Sequence, residues 1–221
     1  MHTMVALLTA AMVLAASLAE GAPLLVNGSF EQGPPMGGLH DVDVLAASTS
    51  IVGWTVFGQS VDYMGPPWDV SDGAHAVDLD GRNALFSGIR QAFATDVGEW
   101  YRLSFDLSGN PQGGAAIKRV LVSVGVITRD YQFDTSGQSV TTLLWAPVSL
   151  QFQTFEPSTT LSFMSLTGAP SSYGAAIDHV VVERAVPVPE PGALLLLVSG
   201  LAGWVVVRRQ RADGSMTRPE P

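Results

Sequence analysis

The central region of this 221-residue chain predicts an all-β sandwich, and three observations carry that expectation. Trp100 to Ser108 alternates strictly, with Tyr101, Leu103, Phe105 and Leu107 on one face and Arg102, Ser104 and Asp106 on the other. Turn punctuation recurs at short intervals: Gly65-Pro66-Pro67, Asp80-Gly81-Arg82-Asn83, Gly109-Asn110-Pro111 and Ser136-Gly137. No segment between residues 20 and 185 sustains a 3.6-residue apolar period, so nothing there reads as an amphipathic helix.

The elements follow in order. Val5–Leu18 is almost wholly apolar and ends in the small-x-small triplet Ser17-Leu18-Ala19, so residues 1–19 read as a signal peptide cut after Ala19. Its first residues, Met1-His2-Thr3-Met4, contain no Lys or Arg, and the α-amino group alone supplies positive charge there. Residues 20–185 form one domain, long enough for a sizeable core. Within it, strands are expected at Ile51–Phe57, Val61–Met64, His75–Leu79, Gly88–Ala94 and Trp100–Ser108. Further strands are expected at Lys118–Ile127, Leu150–Phe152, Leu161–Phe163 and Ile177–Val182. In the segment Lys118–Ile127, Val120, Val122, Val124 and Val126 share a face. Residues 186–192 are a Pro-rich linker favouring extended polyproline geometry. Ala193–Val207 carries no charge and, as a helix, spans ~22 Å against a hydrocarbon core of ~30 Å. It reads as one C-terminal transmembrane helix, with Arg208, Arg209 and Arg211 opening a basic tail, 208–221, that is expected in the cytoplasm.

Composition narrows the function. Between Glu20 and Glu190 lie 18 acidic and 7 basic residues. Such a surface repels nucleic acid and anionic lipid and suits neutral glycans or divalent cations. The chain contains no cysteine, which excludes thiolate–zinc sites, Cys nucleophiles and disulfide staples. Lys118 is the only lysine in the sequence.

Chemistry-bearing patterns are sparse. There is no His-Glu-x-x-His pair, no Gly-x-Ser-x-Gly elbow and no phosphate-cradling glycine loop. Asp78 and Asp80 flank Leu79 and so share a strand face; they read either as turn residues bonding their own backbone or as a metal or sugar contact. Aromatic rings matter for sugars because they stack on pyranose C–H faces. Trp54 sits in an apolar strand and reads as core, whereas Trp68 follows Gly65-Pro66-Pro67 and is the candidate for an exposed glycan platform.

Two resemblances complete the reading. Pro189-Glu190-Pro191, the apolar run and Arg208-Arg209-Gln210-Arg211 together resemble the PEP-CTERM sorting signal of Gram-negative bacteria. That resemblance implies export, anchoring in the inner membrane with the C-terminus in the cytoplasm, and processing by an exosortase that delivers the protein to the cell surface or extracellular matrix. The second resemblance rests on Val26-Asn27-Gly28-Ser29-Phe30-Glu31, Gly53-Trp54, Val61-Asp62-Tyr63, Trp68, Asp72-Gly73, Val77-Asp78-Leu79, Gly81, Gln91-Ala92-Phe93, Leu103 to Pro111 and Ile177-Asp178-His179-Val180. These are similar to the choice-of-anchor C family, which implies a galactose-binding-like jelly roll. In such modules a calcium ion sits where the first segment meets the last strand, which would place Glu31 and Asp178 as its ligands. Asp178 lies on an otherwise apolar strand, with Val180 and Val182 on its own face, and a carboxylate there needs either that cation or backbone N–H groups. The combined expectation is a non-catalytic exported protein that associates with exopolysaccharide. The alternative is a carbohydrate-active hydrolase with a carboxylate pair facing across a cleft at ~5–10 Å.

Overall fold

A computed structural model describes residues 24–82, 85–167 and 172–185. The expected signal peptide, Pro-rich linker, membrane helix and basic tail all lie outside these residues. Among the described residues no helix is long and apolar enough to cross a membrane.

Eleven strands build two antiparallel sheets. In chain order they are β1 (Asp41–Leu45), β2 (Thr55–Phe57), β3 (Ser60–Met64), β4 (Ala76–Asp78), β5 (Gly88–Ala94) and β6 (Trp100–Gly109), then β7 (Ile117–Val124), β8 (Ile127–Asp134), β9 (Ala146–Gln153), β10 (Ser158–Ser165) and β11 (Ala175–Arg184). The six-stranded sheet runs β1-β3-β4-β11-β6-β9 and the five-stranded sheet β2-β5-β10-β7-β8. The sequence-based expectation of an all-β sandwich holds. Leu103, Phe105, Val122, Val124, Phe152, Phe163 and Val180 all lie in the core between the sheets. Phe105 meets the Phe163 ring edge-on at 5.0 Å and the Tyr131 ring at 5.8 Å, a favoured aromatic geometry.

Two local readings need correction. Lys118–Ile127 is not one strand. A turn at Gly125 (φ +56°) and Val126 reverses the chain into β8, so Val126 leaves the valine face and is 73% exposed. Strand β8, Ile-Thr-Arg-Asp-Tyr-Gln-Phe-Asp, pairs with β7 along its whole length; its exposed, charged positions match an edge strand. Finally, Asp178 does not share a face with Val180 and Val182. A bulge shifts the β11–β6 register between Asp178 and Val181, with His179 at φ +49°. The extra residue turns Val180 and Val182 inward and leaves Asp178 on the outer face. Gly28 packs against the Val180 carbonyl so closely that a Cβ would collide with it, while Val180 N donates to Gly28 O at 2.9 Å.

Both sheets therefore have an outer face, and the two differ. That of the six-stranded sheet is roofed. Met64, Ala76 and Ala176 point outward and form a second small core with Trp68 and Leu143, against which Val70, Val140 and Trp145 pack. The roofing loops are tied together: Asp69 N donates to Val140 O (2.8 Å) and Trp145 Nε1 to Asp69 O (3.1 Å). The outer face of the five-stranded sheet carries an open trough.

Candidate functional site

On the outer face of the six-stranded sheet, carboxylates line up. The antiparallel register places Asp43 opposite Asp62 and Asp62 opposite Asp78, a lateral row across β1, β3 and β4. Burial pushes Asp62 up to about 7, helped by the charges of Asp41 and Asp43, while Arg82 opposes the shift. Asp78 is fully buried and raised well above the usual carboxylate range, by burial first and by Asp62 next. It is nonetheless well bonded: Oδ1 accepts from Asp80 N (3.0 Å) and Gly174 N (2.9 Å), and Oδ2 from Asn110 Nδ2 (2.9 Å). Burial likewise lifts Asp80 to about 6, opposed by the Ser165 hydroxyl and the Lys118 charge. Lys118 is 0% exposed and donates from Nζ to Gly113 O (2.7 Å) and Tyr173 O (2.8 Å). Of the two readings for Asp78 and Asp80, the bond from Asp80 N to Asp78 Oδ1 is the turn-type contact. The burial of both and the link from Asp78 to Asn110 make them tertiary supports as well.

Glu31 and Asp178 meet the same loop from its two ends. Asp178 is 0% exposed; its Oδ2 accepts from Ser71 N (2.9 Å) and Asp72 N (2.8 Å), and its Oδ1 from His179 N (2.6 Å). Burial raises it to about 7 against those three donors. Glu31 Oε1 accepts from Ala74 N (2.8 Å) and His75 N (3.0 Å), and its carboxylate packs against Gly73, whose φ of +70° closes the turn. His75 stacks on Tyr63 at 4.8 Å and places Nδ1 3.4 Å from Glu31 Oε2. The two carboxylates thus clasp residues 71–75 by backbone N–H groups. Among the described residues, no three His, Asp or Glu side chains converge where they could hold a metal ion.

The carboxylate pair that a hydrolase would need also has a geometric counterpart. Asp106 stands directly opposite Asp178 across β6 and β11, Ser71 Oγ donates to Asp106, and His179 Nδ1 lies 3.5 Å from it. Loop residues 71 and 72 bond to the buried Asp178, so no cleft separates the two acids.

Trp68 is a correction. It is 6% exposed and belongs to the small core under the roof, so it offers no platform. Its N donates to Gly65 O at 3.1 Å, closing a turn that folds the indole back onto the sheet. Trp54 is core, as expected, but it precedes β2, which begins at Thr55 rather than at Ile51; its N closes a turn on Ile51 O (2.9 Å) and its Nε1 donates to Asn27 O (3.0 Å). Pro189, Glu190, Pro191, Arg208, Arg209 and Arg211 lie outside the described residues.

The open trough consists of residues that the sequence reading did not single out. Phe57, Arg90, Leu121, Ser123, Thr160, Ser162 and Met164 line a depression of about 270 Å³. Two lateral rows make it. In one, Thr55, Arg90, Ser162 and Ser123 stand side by side on β2, β5, β10 and β7. In the other, Gly88 lies between Phe57 and Met164, with Leu121 beyond. Gly88 has no side chain, and a Cβ there would meet the Phe163 carbonyl and the Phe57 ring, so the floor drops between two apolar walls. Arg90 is exposed and its guanidinium has no partner among the described residues, whereas Arg102, Arg119 and Arg184 pair with Glu183, Asp130 and Asp96. Alternation alone places each of these residues outward; the signal that could have found the site is their lateral registry, which joins strands far apart in sequence.

Comparisons with known proteins agree with this architecture. The profile of a family described as "Protein of unknown function (DUF642)" matches residues 23–183, and that of the PEP-CTERM protein-sorting motif matches residues 187–211. The motif marks an exported protein processed for the cell surface. Halomucin of Haloquadratum walsbyi is 28% identical over 170 residues, which are 75% of this chain and 2% of that very long protein. Among solved structures, the carbohydrate-binding module TmCBM61 in complex with β-1,4-galactotriose has a TM-score of 0.51 at 18% identity, covering 74% of this chain and 99% of that one. An arabinose-bound α-L-arabinofuranosidase, MgGH51, has a TM-score of 0.51 at 11% identity, covering 75% of this chain and 27% of that one. At such identities the likeness is one of fold: a jelly-roll sandwich of the carbohydrate-binding-module kind.

Proposed function

The chain belongs to the DUF642 family, and from its open trough we propose that it is a non-catalytic glycan-binding protein of the cell surface. The observation that carries this reading is the convergence of Phe57, Arg90, Leu121, Ser123, Thr160, Ser162 and Met164 on one unroofed sheet face. An aromatic ring stacks on the C–H face of a pyranose, an unpartnered guanidinium reaches two ring hydroxyls with paired donors, and serine and threonine hydroxyls both donate and accept. No carboxylate lines the trough, so nothing in it supplies the acid and base of glycoside hydrolysis. The acidic balance of the domain favours a neutral polysaccharide over a polyanion. Exopolysaccharide around the cell is the partner that the sorting motif brings within reach. Exosortase is the processing enzyme, and before it acts the helix 193–207 holds the chain in the inner membrane with residues 208–221 in the cytoplasm.

A glycan array with the full chain in mild detergent tests the binding, with Phe57→Ala and Arg90→Ala alongside, each in calcium and in chelator. The expected result is binding of a neutral polysaccharide that either variant weakens by about tenfold or more. Binding that survives both substitutions would place the site elsewhere, and a blank array would remove the function. The chelator arm reports separately on a calcium ion at Glu31 and Asp178. For the sorting step, intact masses are compared in hosts with and without exosortase. Loss of the C-terminal peptides in the first host alone is expected; equal retention in both would leave a permanent anchor.

A further inference from the structure

Strand β10 carries an outward row beyond the trough. Ser158, Thr160, Ser162 and Met164 alternate with the buried Thr159, Leu161 and Phe163, so the four face the same side over ~20 Å. The trough uses only the last three of them. At Thr160 it meets a second depression of about 250 Å³, lined by Gly125, Val126, Gln153, Phe155, Ser158 and Thr160 among others. Thr160 lines both. The second depression is built where the β7–β8 turn and the β9–β10 loop come together. Phe155 there is 57% exposed, and Val126, 73% exposed, lines the same depression, so the two make it apolar and open to solvent. Thr154, the residue before Phe155, is buried; its N and Oγ1 bond to Glu99 O and Asp96 O, and this fixes the loop from which the ring projects.

We propose that the glycan site does not end at Thr160 but continues along β10 to a second platform at Phe155, so that the ligand is an extended linear polysaccharide held at two aromatic rings, Phe57 and Phe155. This rests on the glycan-binding reading of the trough and adds to it the class of ligand and the direction in which it lies. The occupant is specified by continuity: a chain seated in the first depression that follows the hydroxyl row Ser162, Thr160, Ser158 arrives at Phe155. A single sugar ring or a disaccharide would fill one depression and leave the other bare. Joining two contacts on one chain raises affinity without any new chemistry, because the second contact forms at high effective concentration once the first is made.

The test is calorimetric titration of the full chain in mild detergent with β-1,4-linked galactooligosaccharides and with arabinooligosaccharides, as trisaccharide and as hexasaccharide. Wild-type protein should bind the hexasaccharide of one series about tenfold tighter than its trisaccharide. Phe155→Ala should remove that difference and leave trisaccharide affinity unchanged, whereas Phe57→Ala should weaken both. Val126→Asp, a second change at the far depression, should act as Phe155→Ala does. Equal affinity for both lengths in the wild type would overturn the extended site and keep the trough. A length effect that survives both Phe155→Ala and Val126→Asp would overturn it as well. Binding of neither series at either length would overturn the trough reading and the extension together.

Discussion

The two outer faces of the sandwich are made by the same alternation and serve opposite ends. On the six-stranded sheet the outward positions include acids that are buried: Asp178 is bonded to the loop at 71–72, Asp78 to Asp80, Gly174 and Asn110, and burial raises both, as it raises Asp62 in the same row. On the five-stranded sheet the trough is lined by hydroxyls, apolar side chains and an unpartnered arginine, open to solvent, while the outward Asp130 at the edge is paired with Arg119. Acidic residues look like chemistry when read along a sequence. Here Glu31, Asp78 and Asp178 hold loops by backbone N–H donors, and no carboxylate lines the trough on the other face. Asp78 and Asp178 have both carboxylate oxygens bonded by the protein itself; a site for a ligand needs polar groups still unfilled.

The sharpest way to break the comparison is to remove what the two faces share. Phe105 packs between the sheets against Phe163 and Tyr131, and Phe105→Ala should cost about 3–5 kcal/mol in chemical denaturation. A loss under ~1 kcal/mol would mean that the face is not buried and that the assignment of inside and outside is reversed. Next comes the buried lysine. Lys118→Met removes both bonds from Nζ and the cation that lowers Asp80, and a cost of about 3 kcal/mol at neutral pH is expected. At pH 4 that cost should shrink, because Asp80, raised to about 6, is then protonated.

Titration separates the faces directly. Asp62 and Asp178 are raised to about 7 and Asp80 to about 6, so the folded state holds protons that the unfolded chain has released. The stability they contribute is fully present below about pH 4 and is lost as pH rises through 7. Melting temperature should therefore fall between pH 5 and pH 8. Asp62→Asn should recover roughly 1 kcal/mol at pH 8, about 2–4 °C for a domain of this size, and nothing at pH 4. A melting temperature that rises across this interval would contradict the burial of the acid row.

The smallest effects on stability belong to the open face. Arg90→Ala should change stability by no more than about 0.5 kcal/mol while weakening glycan binding, since its guanidinium bonds to nothing in the described fold. Smaller still is the response expected to calcium. With the Asp178 oxygens on backbone donors, wild-type melting curves in calcium and in chelator should superimpose. A rise of a few degrees in calcium would instead show a cation bound at Glu31 and Asp178.

Alternation and turn residues were enough to place most strands and the inward-facing core, because period two and turn chemistry are local properties. They were enough for Phe105, Val122 and Phe163, and for the polar motif, apolar run and arginines of the tail, which read as a sorting signal without any fold. They failed where a long-range contact overrides the local pattern. Trp68 looked exposed because it follows Gly-Pro-Pro; only the packing of its loop onto Met64 and Leu143 buries it. Asp178 looked as if it shared a face with Val180 because period two holds until a bulge interrupts it, and that bulge forms against Gly28, about 150 residues earlier in the chain. Strand β1 and strand β8 are edges whose polar residues carry little hydrophobic signal. The trough itself was beyond the sequence. Each of its residues is an ordinary outward position on its own strand, and what makes a site of them is the registry of β2, β5, β10 and β7, which tertiary structure alone decides.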